Sequence, residues 1–177
     1  HYAYLKIAEG CDKHCTYCVI PRIRGSYRSV AFEELVIHAK TLVEKHGVKE
    51  LILVAQETTV YGVDLYGRKR LAELLDALNE IPGLVWIRIL YCYPEEIDEE
   101  LIAAIKRNIK VCHYLDVPIQ HASDSVLKRM GRRTSQAELI EKNANGDSVK
   151  VEKVKKEKVE DKTENKSTKK EKKEEKT

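Results

Sequence analysis

The sequence predicts an α/β fold: an open parallel sheet of about four strands, forming a partial (βα) barrel, followed by a disordered tail. Short apolar runs alternate with segments whose apolar residues recur at helical spacing, the pattern of strands joined by crossover helices. One run, Leu51-Ile-Leu-Val-Ala55, is continuously apolar, as expected of a parallel strand covered on both faces. After Asn143 the only aliphatic side chains are Ala144, Val149, Val151, Val154 and Val159, with no aromatic, so this stretch cannot offset its ordering entropy by burial. A closed eight-unit barrel needs about 250 residues. With 177 residues the chain makes only an open arc, whose natural site lies in the loops at the carboxyl ends of the strands.

The first strand is Tyr4 to Ala8, which runs into a cysteine-rich loop through Gly10, a residue suited to a tight turn. Phe32, Leu35, Val36, Ala39, Leu42 and Val43 mark an amphipathic helix, with Ser29 as its cap, Glu33 and Glu34 in its first turn and Gly47 beyond its end. Leu51 to Ala55 is the second strand. Leu71, Leu74, Leu75 and Leu78 form the next helical face, stopped by Pro82-Gly83, and Val85 to Leu90 is the third strand. Asp98 caps a helix burying Leu101, Ile102 and Ile105, and Tyr114 to Ile119 is the fourth strand, with Pro118 at its end. Helical pieces follow through Val126 to Met130 and, from a Ser135/Glu138 capping box, through Leu139 and Ile140. The expected organisation is a catalytic domain over 1–140 and a Lys/Glu-rich tail over 141–177.

Charge divides at the same place. Residues 1–140 hold 19 Lys+Arg and 19 Asp+Glu, while 141–177 hold 13 Lys and 10 acids and carry the whole net charge of +3. The run Lys169 to Lys176 reads either as a solvated tail or as a nucleic-acid arm, although Glu171, Glu174 and Glu175 dilute a phosphate-binding field. No stretch approaches the roughly 18 apolar residues of a membrane span, and the expected location is the cytosol. The start at His1 without a Met reads as a piece of something longer.

Five cysteines is an odd number and three fall within eight residues, so metal binding or catalysis is expected rather than a disulfide framework. In Cys11-x-x-x-Cys15-x-x-Cys18, soft thiolates suit either an iron-sulfur cluster or zinc, and purely structural sites of both kinds usually take four protein ligands. Three thiolates on a four-iron cluster leave one iron open to a small molecule. The zinc reading completes the site with His14, His113, Cys92 or Cys112, but the paired spacing of zinc modules is missing. Cys92 and Cys112 lie in or beside strands, where a thiol acts as a small hydrophobe.

C-x-x-x-C-x-Y-C after a strand and a Gly resembles the cluster loop of radical S-adenosylmethionine enzymes. Glu9-Gly-Cys-Asp-Lys-His-Cys-Thr-Tyr-Cys-Val-Ile-Pro21, with Arg24-Gly25 and Arg28-Ser29, resembles the methylthiotransferase branch. Gln56-Glu-Thr-Thr-Val-Tyr-Gly-Val-Asp-Leu-Tyr66, Tyr91-Cys-Tyr-Pro94 and Ile119-Gln-His121 are more similar to the subfamily that modifies the β-carbon of an aspartate in small-subunit ribosomal protein S-twelve (RimO-type) than to the one that modifies a transfer-RNA adenosine (MiaB-type).

The resemblance implies a partial radical-SAM barrel and a transferase. Cys11, Cys15 and Cys18 would hold a 4Fe-4S cluster whose free iron chelates S-adenosyl-L-methionine, and one electron from a donor protein would release a 5′-deoxyadenosyl radical. It places Tyr17 near the adenine, or alternatively in core packing. Gln56, Glu57 and Thr58, at the end of the second strand, would meet the methionine end of the ligand, and Gln120 would face the same way. His121 is either part of that face or structural. Arg132 and Arg133 either pair with a carboxylate or form a solvated basic turn. The expected partners are ribosomal protein S-twelve and an electron donor, with no membrane, and nucleic acid only under the transfer-RNA reading. Full-length members also carry an N-terminal domain with a second cluster and a C-terminal β-domain, neither of which is visible here, so the chain alone is expected to be incomplete for methylthio transfer.

Overall fold

Four parallel strands carry the architecture, in unbroken register from the first to the third and with a shift between Ile87 and Ile89 where the fourth joins. The structure, a computed structural model, describes residues 1–144 and 150–151. Strands β1 (Tyr2–Lys6), β4 (Glu50–Val54), β5 (Trp86–Ile89) and β6 (Val111–Leu115) lie side by side in that order, all parallel, with β7 (Lys150–Val151) beside β6. Leu5 faces Leu53 and Leu53 faces Ile89 across the ladder. A separate two-residue ribbon pairs β2 (Ala8–Glu9) antiparallel with β3 (Arg28–Ser29).

Helices α2 (Phe32–His46), α4 (Leu71–Asn79) and α5 (Glu99–Arg107) pack side by side on one face of the sheet. The core lies between them: Leu35, Ala39 and Val43 from α2, Leu74, Leu75 and Leu78 from α4, and Ala104 and Ile105 from α5 meet Leu5, Leu51, Leu53, Ile87 and Ile89 of the strands. The short helices α1 (Ile20–Arg24), α3 (Val63–Tyr66) and α6 (Asp124–Arg129), and the longer α7 (Gln136–Ala144), lie around the carboxyl ends of the strands and beyond β6.

The expected caps are only partly realised. Asp98 Oδ1 accepts from Leu101 N–H at 2.9 Å, and Ser135 and Glu138 make both bonds of a capping box, at 2.8 and 3.3 Å. Gly47 ends α2 in the left-handed conformation. Ser29, expected to cap α2, instead belongs to β3, and its hydroxyl donates to Asp64 at 2.6 Å; the residue at the helix start is Ala31.

The fourth strand runs over Val111–Leu115, not Tyr114 to Ile119. It starts three residues past Asn108, whose side chain closes α5 on Ala104, and Lys110 O accepts from Ile87 N–H at the start of the ladder. Pro118 has no N–H to continue it. The apolar run at β4 is buried on one face only: Leu51 and Leu53 are buried and Ile52 is half exposed. On the same open face Tyr4 is exposed, and Tyr2 stacks edge-on beside it.

α7 extends to Ala144, past the expected boundary at residue 140, and Lys150–Val151 pairs with β6. The remainder of the expected tail, including Lys169 to Lys176, lies outside the described residues. No described helix is long and apolar enough to cross a membrane.

Candidate functional site

The cysteine loop is tied down at its base, on one flank and at its tip. The β2–β3 ribbon closes its base, and Cys11 N–H donates to Gly25 O at 3.1 Å. Gly10 sits at φ +84°, and a Cβ there would stand 2.1 Å from Ser26 O, so only glycine fits this close approach. Gln56, just past β4, accepts from Gly10 N–H at 2.8 Å and so ties the loop to the sheet. Asp12 accepts from Tyr27 N–H at 3.1 Å. At the tip, Thr16 N–H donates to Met130 O and Thr16 Oγ1 to Arg129 O, clamping the loop against α6. Pro21 starts α1, the short helix that carries the chain away from Cys18, with its ring at a position where no N–H is needed.

The three thiols are free, with Cys11 and Cys15 buried and Cys18 exposed. Burial pushes the Cys11 thiol up, opposed by the Lys13 N–H that points at its sulfur. Among the described residues no three His, Cys, Asp or Glu side chains converge on one point for a single metal ion. Cys11 borders two cavities. One, of about 300 Å³, lies at the carboxyl ends of β1, β4 and β5 and is lined by Cys11, Cys18, Ile20, Gln56, Tyr91 and Tyr93. The other, of about 350 Å³, is lined by Cys11, Lys13, Tyr27, Glu57, Asp64 and Arg133.

Gln56 and Glu57, in the bend that follows β4, therefore face different cavities. Glu57 is fully buried, and burial pushes its carboxyl up to about 7 against the opposing bonds from Thr59 and Tyr93. Its Oε1 accepts from the Thr59 N–H and hydroxyl and from Tyr93 N–H, whereas its Oε2 is buried with no hydrogen-bond partner among the described residues. Thr58 lines neither cavity: its hydroxyl is engaged with Leu90 O and Tyr91 O, at 2.9 and 3.0 Å. Tyr17 is half exposed beside Cys15, and partial burial together with that thiol pushes its phenol up. Gln120 is exposed at φ +62°, and His121 Nδ1 accepts from Ser123 N–H at 2.9 Å. Of the two arginines, Arg133 reaches the larger cavity, while Arg132 is buried and stacks on the Tyr93 ring. Cys92 is in the core and Cys112 is on β6.

Tyr93, Tyr27, Lys13 and Asp64 were not singled out individually from the sequence. The run Tyr91 to Pro94 was visible only as a stretch of likeness, because nothing local shows that a residue after β5 folds over the loop after β1.

A family model described as the radical SAM superfamily matches residues 5–145. The chain belongs to the radical SAM superfamily. Within it, the ribosomal protein uS12 methylthiotransferase RimO of Lachnoclostridium phytofermentans is 69% identical over 140 residues, which are 79% of this chain and 32% of that protein. RimO of Clostridium tetani is 63% identical over 133 residues, 75% of this chain and 30% of that protein. The chain thus spans about a third of the length of the curated relatives it matches. Among solved structures, the radical S-adenosylmethionine methyltransferase TsrM from Kitasatospora setae superposes with a TM-score of 0.60 at 16% identity, over 81% of this chain and 28% of that one. The cobalamin-dependent S-adenosylmethionine radical enzyme OxsB gives 0.60 at 18% identity, over 78% of this chain and 21% of that one. The fold is therefore a partial radical-SAM barrel.

Proposed function

We propose that Cys11, Cys15 and Cys18 hold a 4Fe-4S cluster with one iron left open for S-adenosylmethionine, and that the chain is the radical domain of a methylthiotransferase acting on an aspartate of ribosomal protein S-twelve. The observation that carries the substrate class is the 69% identity to RimO of Lachnoclostridium phytofermentans over 140 residues. The chemistry of the donor set supports the cluster. Three thiols on one loop, not gathered about a single point, suit a cluster that spreads its thiolates over separate irons better than one zinc ion. The bound cofactors supply one-electron cleavage of a carbon–sulfur bond.

The protein's part is to bind, orient and exclude water. Gln56 holds the start of the loop through Gly10 N–H, which sets where Cys11 points. Tyr91 and Tyr93 wall the cavity between Cys11 and Cys18. The unpartnered Glu57 Oε2 is a buried acceptor that an amino group of the cofactor would satisfy, and Arg133 lines the same cavity with a cation for a carboxylate. Tyr17, exposed beside the loop, offers an aromatic face to the adenine, and Gln120 at the end of the segment after β6 offers an amide. Thr58 supports the site indirectly, by fixing the turn after β5. An electron donor and the rest of the enzyme complete the reaction.

The test is electron paramagnetic resonance of the anaerobically reconstituted, reduced protein with and without S-adenosylmethionine. A brown protein whose spectrum shifts on adding the cofactor, and which releases 5′-deoxyadenosine, is expected. Cys18→Ala should lose the colour and Cys112→Ala keep it. An unshifted spectrum, or a colourless protein with one zinc, would refute the reading.

A further inference from the structure

Tyr93 packs against Cys15, with its hydroxyl 3.6 Å from the Cys15 sulfur. A cluster-bound thiolate carries no proton and can only accept, so the phenol must be the donor. The ring is held in place from several sides. Tyr93 N–H points to Glu57 Oε1 at 3.4 Å, and the Tyr91 ring meets it edge-on at 5.9 Å. The Arg132 guanidinium lies 4.0 Å from the ring centroid and Lys13 Nζ 5.2 Å from it.

Arg132 is unusual in its own right. Its side chain is 0% exposed; among the described residues its carboxylate partner is Glu95 at 3.4 Å, with Pro118 O at 3.2 Å, and its Nε and Nη1 have no hydrogen-bond partner. A buried cation projects its field through a medium of low dielectric. It lines, with Cys15 and Tyr93, a small cavity beneath the cysteine loop.

We propose that Tyr93 and Arg132 are positioning residues that set the reduction potential of the cluster: the Tyr93 hydroxyl donates to the Cys15 thiolate, and Arg132 adds buried positive charge behind the ring. Both stabilise the more negative, reduced cluster and so raise its potential, since potentials follow hydrogen bonds to sulfur and net charge. The inference rests on the reading of Cys15 as a cluster ligand.

The experiment is a potentiometric titration of the full chain, reconstituted anaerobically with iron and sulfide, with dithionite as reductant and the paramagnetic signal as readout. One electron enters the cluster from dithionite and no bond is broken. Tyr93→Phe should show a more negative midpoint potential at unchanged iron and sulfide content. Arg132→Gln should shift the same way, and Arg132→Lys, which keeps the charge, should stay closer to the parent. Coincident potentials for the parent and Tyr93→Phe at equal cluster content overturn this inference and leave the cluster reading standing. A parent protein that takes up no cluster overturns both. If Tyr93→Phe loses the cluster, the Arg132→Gln and Arg132→Lys pair decides, and equal potentials for those two overturn the proposal.

Discussion

Gln56 and Glu57 are adjacent in sequence and separate in the fold. Gln56 anchors the cysteine loop, while Glu57 buries its carboxyl among Thr59, Tyr93 and Tyr27, whose hydroxyl bonds the Glu57 carbonyl at 2.8 Å. In the protein without cofactors, the Glu57 carboxyl at about 7 contrasts with 4.5 for an unhindered glutamate. The folded state therefore binds more protons than the unfolded state between those values, and stability falls as pH rises through that window. Denaturant titrations from pH 4.5 to 7 should show that decline, and Glu57→Gln, which has no charge to bury, should flatten it. An equal slope in the variant would mean that another group is responsible.

At the scale of elements, the site is built from connections rather than from strands. The β2–β3 ribbon and the α6 turn fix a loop of 18 residues between Glu9 and Arg28, which itself contains α1, and the α6 contacts join residues remote in sequence. Gly10 is where that loop can least tolerate a side chain. Gly10→Ala drives a Cβ onto the Ser26 carbonyl at positive φ, and a loss of about 2–4 kcal/mol in stability, with poor cluster uptake, is expected from urea unfolding and iron analysis. The helix α5 offers a milder contrast. Asp98→Ala removes one cap bond and should cost about 1 kcal/mol without affecting cluster content.

Across the whole molecule, burial is one-sided. Leu5, Leu53 and Ile87 are fully buried under the helices, while Tyr4 and Trp86 on the opposite face are 60% and 55% exposed. Among the described residues the main apolar core therefore lies between one layer of helices and one sheet. Ile87→Ala, in the middle strand, should cost about 2–5 kcal/mol by thermal or denaturant unfolding, whereas Trp86→Ala on the open face should cost far less.

The sequence by itself determined the alternation of strands and helices, the parallel pairing of about four strands, the caps at Asp98 and Ser135, and the thiol triplet on the loop after the first strand. Those features are local: periodicity, turn chemistry and ligand spacing are written within a few residues of one another. Only the tertiary structure decided that β4 is covered on one face, that Ser29 serves Asp64 rather than α2, that the fourth strand begins at Val111, and that Glu57 and Gln56 open onto different cavities. It also decided that Tyr93, 78 residues from Cys15 along the chain, stands beside its sulfur, and that Arg132, 117 residues away, stacks on the Tyr93 ring. The reason is physical: which face of a strand is buried and which side chains meet depend on the packing of distant segments, and no local pattern records that packing.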